Sequence, residues 1–435
     1  MRKRHVRSSR VFRRPVEGSL FPPGHESEIP AEHIVRGLRE IVEQVAAPMR
    51  LSYEDKGGIS YDPVGLLCVL LYGFMQGTSS TRTLEELCLY DARFKFLTRG
   101  LHPDHNTLAR FRKRLEGELP DIFASVLGLA RERGMLSMKV VAVDGTKIEG
   151  NVSQWKRLVE KANLEEEVPF CDPDARLIRD RQHGIIRGYN AQLAVDEGGM
   201  IVGFEVSNKA KDSEEMPGIL ASIERSTGEL PETILADAGY DSSLNHAALH
   251  ESSTTGIISP HSASDSFWSV SESGQVQCPE GHTIFRSRST KLSNGLYDVY
   301  AIGECFSCPL QSACSPRRRK ELSVKAGAEP AIRILNAKRA LDGQGKALLR
   351  RRKHIVEPVF GHMKANRGFR RFKLRTKDKV RIEFGLACLS HNLERLLRAI
   401  FGVFEPFQEI FASLTTHLER RQSFISRFLE PIPSH

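Results

Sequence analysis

The chain has 435 residues, 40% hydrophobic and 27% charged, with a formal net charge of +9. That length suits two or three domains, and no run approaches the roughly 18 apolar residues that a membrane-spanning helix needs. The N-terminal MRKRHVRSSRVFRRP is basic but lacks the apolar stretch of a signal peptide, so a cytoplasmic protein without a membrane partner is expected. The positive balance favours a polyanionic partner, and Lys and Arg concentrate at 2–14, 110–114, 317–320, 350–353 and 367–381.

Residues 1–30, rich in Pro, Gly, Ser and Arg, read as a flexible basic arm. From 31 to 135 the pattern is helical. Ile34, Leu38, Ile41, Val42 and Val45 recur at helical spacing. Asp62-Pro63 opens an apolar helix that Gly77 closes. SSTRTLEELCLYD carries a Ser/Thr start. DHNTLARFRKRLEGEL predicts a helix with Leu108 and Phe111 inward and Arg110, Arg112, Lys113 and Arg114 outward. His102, Asp104 and His105 could be metal ligands, but Pro-Asp-His-x-Thr reads more simply as a helix cap.

The character changes at 138. MKVVAVDGT is a short, β-branched run ending in Asp144, which predicts a buried strand with an acid at its tip. Residues 147–188 look polar, partly helical and irregular. NAQLAVDEGGMIVGFEVSN predicts a hairpin turning at Asp196–Gly199, where Asp196 reads as a turn residue. Tyr189 and Asn190 open its first strand. EEMPGILASIERS predicts a helix, TILADAGYDS a strand ending in Asp237, SSLNHAALHES a helix and TGIISP a strand. Three leading strands followed by helix, strand, helix, strand suit an α/β fold. A mixed sheet with flanking helices, in the element order of the ribonuclease H-like fold, is expected over 136–259 and 346–400. Residues 260–345 look like a β-rich insertion, and 401–435 like an amphipathic helical tail.

Phosphoryl transfer is served by two divalent ions on hard oxygen ligands, which requires carboxylates converging from different elements. Asp144 and Asp237 end apolar strands, where sheets of this kind bind ligands. Each precedes a small residue (Gly145, Ala238), read as room for substrate. Glu357 is the only acid in RRRKHIVEPVFGHMKANRGFRRF, among many cations. Phe360 and Met363 share the face of Val356, and Glu357 shares another with Lys364. Pro358 predicts a helix start or a kink.

VAVDGTKIEGN, GYNAQLAVD, ILADAGYDS and IVEPVFGHMKANRGFRRF resemble the successive catalytic blocks of bacterial insertion-sequence DDE transposases. DPVGLLCVLLYGFMQGTSSTRTLEE and HPDHNTLARFRKRL resemble the helical N-terminal domain of the same family, and the similarity runs from about 30 to 400. The resemblance implies that Asp144, Asp237 and Glu357 hold two Mg²⁺ or Mn²⁺ ions. Water would then cut at the ends of a mobile element, and the freed 3′-hydroxyls would attack target DNA at the same site. It assigns Lys364, Arg367, Arg370 and Arg371 to the DNA backbone. An arginine just upstream of the glutamate falls to Arg352 or Lys353, since Arg350 and Lys353 hold the expected offsets and the accompanying tyrosine is missing. Arg110, Arg112 and Arg114 would face DNA from the N-terminal domain. Implied partners are double-stranded DNA (terminal inverted repeats and target), within the bacterial nucleoid, and a second copy of the chain in a homodimer.

Eight cysteines are present. Cys278, Cys305, Cys308 and Cys314 fall in QCPEGH and ECFSCPLQSAC, and Cys305-x₂-Cys308 has a zinc-knuckle spacing. A structural Zn²⁺ site is one reading and reduced cysteines in a strand-rich insertion the other. Two further functions stay open: a metal-dependent nuclease that cuts without joining, and a non-catalytic DNA-binding protein descended from a transposase.

Overall fold

Both faces of Val140–Val143 are apolar because both are covered. The computed structural model describes residues 29–46, 61–152, 172–180, 184–261, 268–292, 295–303, 307–310 and 321–401. Strand β1 (Val140–Glu149) lies inside a six-stranded sheet. On one side it pairs antiparallel with β3 (Gly184–Asp196), from Val141 opposite Asp196 to Glu149 opposite Gly188. On the other it pairs parallel with β5 (Thr233–Ala236), but only from Val140 to Ala142. Strand β6 (Thr255–Ile258) extends the parallel side. Along the far edge of β3 run β2 (Arg176–Asp180) and then β4 (Ile201–Ser207), both antiparallel. The order β4-β3-β1-β5-β6, three antiparallel strands then two parallel, is the ribonuclease H-like arrangement expected from the sequence.

Two features differ from the expectation. Residues 176–180, read as irregular, are strand β2, because the long β3 offers them a free edge. Strand β1 also does not stop at Asp144 but continues five residues further, since β3 pairs with it throughout.

Side chains alternate between two cores, as strand geometry demands. Val141, Val143, Ala194 and Val202 pack with α7 (Met216–Thr227) and α8 (Ser243–Glu251). Ala142, Ile148, Leu193 and Val195 join a larger core containing Val356 and Val359 of α10 (Gly343–Gly361) and Phe384 and Leu389 of α11 (Lys377–Phe401). Every residue of α11 from Ile382 to Leu393 is buried. Its other side carries the N-terminal helices, chiefly α1 (Ile34–Ala46), α2 (Pro63–Met75) and α6 (Leu119–Glu132).

A helix buried all round must satisfy its polar side chains internally. Ser390 Oγ donates to Leu71 O at 3.1 Å. The Asn392 amide accepts from Ile201 N at 2.9 Å and donates to Ile201 O at 2.7 Å, pinning α11 to the start of β4. Glu383 accepts from Lys373 N and Leu374 N and from Ser79 Oγ, which ties the loop after α10 to the N-terminal helices. Caps read from the sequence form as expected. Asp62 accepts from Val64 N at 3.0 Å and Asp104 from Thr107 N at 2.8 Å, while Ser80 caps α3 (Thr81–Tyr90). At the β3–β4 turn, Asp196 takes Ser137 N, Gly198 N and Met200 N, and Gly199 adopts φ 79°.

The stretch after β6 forms the β7–β8 pair (Ser269–Val270, Val276–Gln277) and a three-stranded sheet of β9 (Phe285–Leu292), β10 (Gly295–Ala301) and β11 (Glu321–Lys325). Helix α9 (Pro330–Leu341) leads back to the main sheet. Its Asn336 amide accepts from Ile258 N and donates to Ile258 O, the same clamp that Asn392 makes on β4. Among the described residues no helix is long and apolar enough to cross a membrane.

His391 on α11 donates from Nε2 to Gly199 O at 3.1 Å and stacks edge-on against His362. Burial, with Arg367, His362 and Arg395 nearby, pulls its pKa down to about 3. The unfolded chain therefore takes up a proton near pH 6.5 that the folded chain refuses. This costs stability as pH falls from about 6.5 towards 3, by up to about 1.4 kcal/mol per pH unit. His391→Gln keeps a donor for Gly199 O and removes the titration. Urea unfolding of the variant should show a smaller loss of stability between pH 6.5 and 4 than the parent.

Candidate active site at the carboxyl ends of β1 and β5

Strand β5 ends at Ala236, opposite Ile258 of β6, and β1 runs on without its parallel neighbour from Val143. The next partner on the parallel side appears at Glu149, whose N–H donates to Arg370 O and whose carbonyl accepts from Phe372 N. A cleft of about 1350 Å³ opens at these strand ends. It is larger than the roughly 300–1,000 Å³ of small-molecule pockets. Asp144, Asp237 and Glu357 all line it, from three elements far apart in the chain.

Asp144 and Asp237 are half-buried, whereas Glu357 is exposed. Burial raises the pKa of Asp144, the Arg352 guanidinium beside it opposes that, and the charge of Asp237 pushes it up again. Arg352 Nη1 lies 3.0 Å from Asp144 Oδ2, with the two side chains 9% and 21% exposed. Arg352, rather than Lys353, therefore faces the strand acid. Gly145 N donates to Asp144 Oδ1 at 2.9 Å. Asp237 opens a 3₁₀ turn (Ala238–Tyr240), and its Oδ1 accepts from Gly239 N at 2.9 Å.

Helix α10 is capped by Asp342 and contains Pro358 in its interior. The helix therefore does not begin at the proline. Glu357 is exposed on the cleft side, while Val356 and Val359 are buried. The next turn, His362–Asn366, is π-helical. It carries Met363 into the core and Lys364 into the cleft, where Lys364 Nζ donates to Lys147 O at 3.2 Å and burial lowers its pKa. Phe360, expected to turn inward, is only partly buried and lines the cleft.

Sequence reasoning missed Asp212, on the loop between β4 and α7. Its Oδ1 accepts from Asn190 Nδ2 at 2.7 Å and Gln192 Nε2 at 2.8 Å, with Lys147 Nζ at 3.2 Å. Asp212 and Lys147 also line the cleft. Gly145 lines the cleft, and the position a Cβ would take there is occupied by Gln192 and Asp212.

The cationic candidates divide. Arg352, Lys353, Lys364 and Arg370 line the cleft. Arg110 and Arg114 are exposed on α5 (His105–Arg114). Arg112, expected outward, is buried and donates to Ser79 O at 2.9 Å. Arg367 is buried in an ion pair with Glu394, and burial pulls its pKa to about 10. Arg371 donates to the Gly150 and Val152 carbonyls. These last three are taken up in holding the fold, because a guanidinium out of water needs internal acceptors. Asp104 caps α5, His105 Nδ1 contacts Glu85 and His102 Nδ1 contacts Cys88 O, in keeping with a capping segment. Tyr189 donates to Asp172 at 2.7 Å and is buried. Cys278 is buried in the small core with Trp268 and Leu322, and Cys308 is half-buried. Cys305 and Cys314 lie outside the described residues.

Asp144, Asp237 and Glu357 offer one cleft hard oxygen donors, the kind that suits Mg²⁺ or Mn²⁺. Among the described residues no three His, Cys, Asp or Glu side chains are grouped closely enough to hold a metal ion as they stand.

Residues 277–397 match the family model described as transposase DDE domain, a span that includes Glu357 and Lys364 but not Asp144 or Asp237. Residues 24–114 match a transposase domain (DUF772). No curated protein matches the chain. A solved structure titled "Mos1 transposase paired-end complex with left transposon end" aligns at 11% identity over 57% of this chain and 70% of that one, with a TM-score of 0.17. The DDE-domain match suggests an enzyme of the polynucleotidyl-transferase type. The chain is thus similar to a transposase DDE domain over 277–397 and to a transposase domain over 24–114.

A Cβ added at Gly145 would lie 2.6 Å from Gln192 Nε2 and 2.7 Å from Asp212 Oδ1. Gly145→Ala should therefore destabilise the protein by about 1–3 kcal/mol, read as a lower urea midpoint. An unchanged midpoint would show that these side chains move aside freely.

Proposed function

We propose that the chain cleaves DNA at the ends of a mobile element and joins the freed 3′-hydroxyls to target DNA, both in the cleft at the ends of β1 and β5. The observation that carries this reading is the convergence of Asp144, Asp237 and Glu357 on one cleft from a strand, a strand end and a helix. Asp144, Asp237 and Glu357 would hold two Mg²⁺ or Mn²⁺ ions. When bound, such ions neutralise charge on the attacking and leaving oxygens of an in-line displacement.

The chain's own residues do the rest. Arg352 fixes the rotamer of Asp144 through its ion pair. Lys364, held against β1 by Lys147 O, and Arg370, whose Nε donates to Lys364 O, present positive charge for the phosphates flanking the cut. Lys353 lies one turn before Glu357 on the cleft face of α10. These contacts follow charge rather than sequence. Reading of the element end is assigned to the helical block at 31–135, with Arg110 and Arg114 exposed on α5, and to the basic arm at 1–30. A homodimer would bring two ends together.

Asp144→Ala, Asp237→Ala and Glu357→Ala should each lower Mg²⁺-dependent cleavage of a labelled element end by on the order of 10³-fold, while gel-shift affinity for the same DNA stays within a few-fold. Unchanged cleavage in all three would discard the site. Cleavage with no strand-transfer product from pre-cut ends would leave a nuclease.

Lys353→Ala and Arg370→Ala should each reduce the slope of log affinity against log salt by about 1. Arg112→Ala should instead lower the melting temperature and leave the slope alone.

A further inference from the structure

Asp212 stands outside the three acids of the proposed site, yet it is tied to two of them. Its side chain is 21% exposed. One oxygen, Oδ1, takes Asn190 Nδ2, Gln192 Nε2 and Lys147 Nζ at 2.7, 2.8 and 3.2 Å. Three donors from β1 and β3 thus converge on one oxygen. The Asp212 carbonyl accepts from Asn245 Nδ2 at 3.1 Å. The same amide nitrogen donates to Tyr240 O at 2.9 Å, and the buried Tyr240 hydroxyl donates to Gln192 Oε1. Asp212, Gln192, Tyr240 and Asn245 thus form a closed ring of hydrogen bonds linking β3, the loop before α7, the turn after β5 and the first turn of α8.

Both strand acids abut this ring. Gly145, next to Asp144, lies directly beneath Asp212 Oδ1 and Gln192 Nε2. Asp237 starts the turn that ends at Tyr240, and Asp212 Oδ2 lies over Gly239 in that turn. The ring is therefore the polar connection between the segment that carries Asp144 and the turn that carries Asp237. The turn itself is only three residues long and has no strand partner of its own.

The geometry points to Asp212 as a positioning residue for phosphoryl transfer, a clasp that sets the spacing of Asp144 and Asp237 through Gln192 and Tyr240 and holds Lys147 at the cleft wall. This rests on the proposed reaction for its catalytic consequence, but not for the clasp itself. A displacement of about 1 Å at a reacting centre can cost on the order of 10²-fold in rate.

The test uses the full chain and reads two quantities. The first is amide hydrogen exchange over 238–241 without DNA. The second is kcat and KM for cleavage of an element end. Asp212→Ala should speed exchange over 238–241 at least about tenfold and lower kcat about 10²-fold, with KM for DNA within about twofold. Asp212→Asn keeps an oxygen for Asn190 and Gln192, so it should recover protection of the turn and most of kcat. Tyr240→Phe breaks the ring elsewhere and should also loosen the turn, which keeps the test open if Asp212→Ala does not fold. The clasp is overturned if Asp212→Ala and Tyr240→Phe leave exchange at wild-type rates. It is equally overturned if Asp212→Asn protects the turn fully yet is as inactive as Asp212→Ala, because Asp212 would then act directly on the reacting groups. If Asp237→Ala cleaves normally, the cleavage reading fails instead, and the exchange result still decides the clasp.

Discussion

A carboxylate taken largely out of water must find a cation or give up its charge. Asp144 meets that condition at the point where the parallel ladder of β1 ends, at Ala142 opposite Leu235, while the antiparallel ladder on β3 continues. Arg352 of α10 supplies the charge. The pair fixes where α10 sits along β1, and with it the placing of Lys353, Glu357 and Lys364, which follow on the same helix and its π-helical extension. One ion pair thus links the strand acid to the helix that carries its partners.

That helix is held from behind. The core under Val356 and Val359 continues into α11, and α11 is enclosed between the sheet and the N-terminal helices. Each amphipathic surface would be costly to expose alone, since a fully buried large apolar side chain contributes about 1.5–3 kcal/mol. The N-terminal helices are therefore part of what keeps the cleft in shape, besides offering exposed cations of their own. Glu383, reaching both Ser79 and the Lys373–Leu374 backbone, passes that support to the segment that carries Arg370.

Much of this could be read from the residues, and the exceptions have physical causes. Asp237 followed from a strand ending in Ala-Asp, and the structure places it where expected. Asp144 was found for a partly mistaken reason. Its strand does not end there; what ends is the parallel pairing on one side, which sequence periodicity does not report. Glu357 came from family resemblance, because its exposed position gives no burial pattern. Arg112 was misplaced although the signal was present. It lies four residues after Leu108 and one after Phe111, on the inward stripe of α5, where spacing outweighs charge. Asp212 left no local trace. Its significance arises only when Lys147, Asn190 and Gln192 are brought beside it by pairing of β1 and β3, a contact between segments distant in the chain. The paired Asn336 and Asn392 clamps escaped notice for the same reason.

The central claim is that Asp144, Asp237 and Glu357 share divalent ions in one cleft. It is tested most directly by replacing Mg²⁺ with Fe²⁺ and mapping where iron-generated hydroxyl radicals cut the polypeptide. The account predicts cuts close to 144, 237 and 357, suppressed together by excess Mg²⁺. Cuts at only one of these places, or cuts that Mg²⁺ does not suppress, would contradict it.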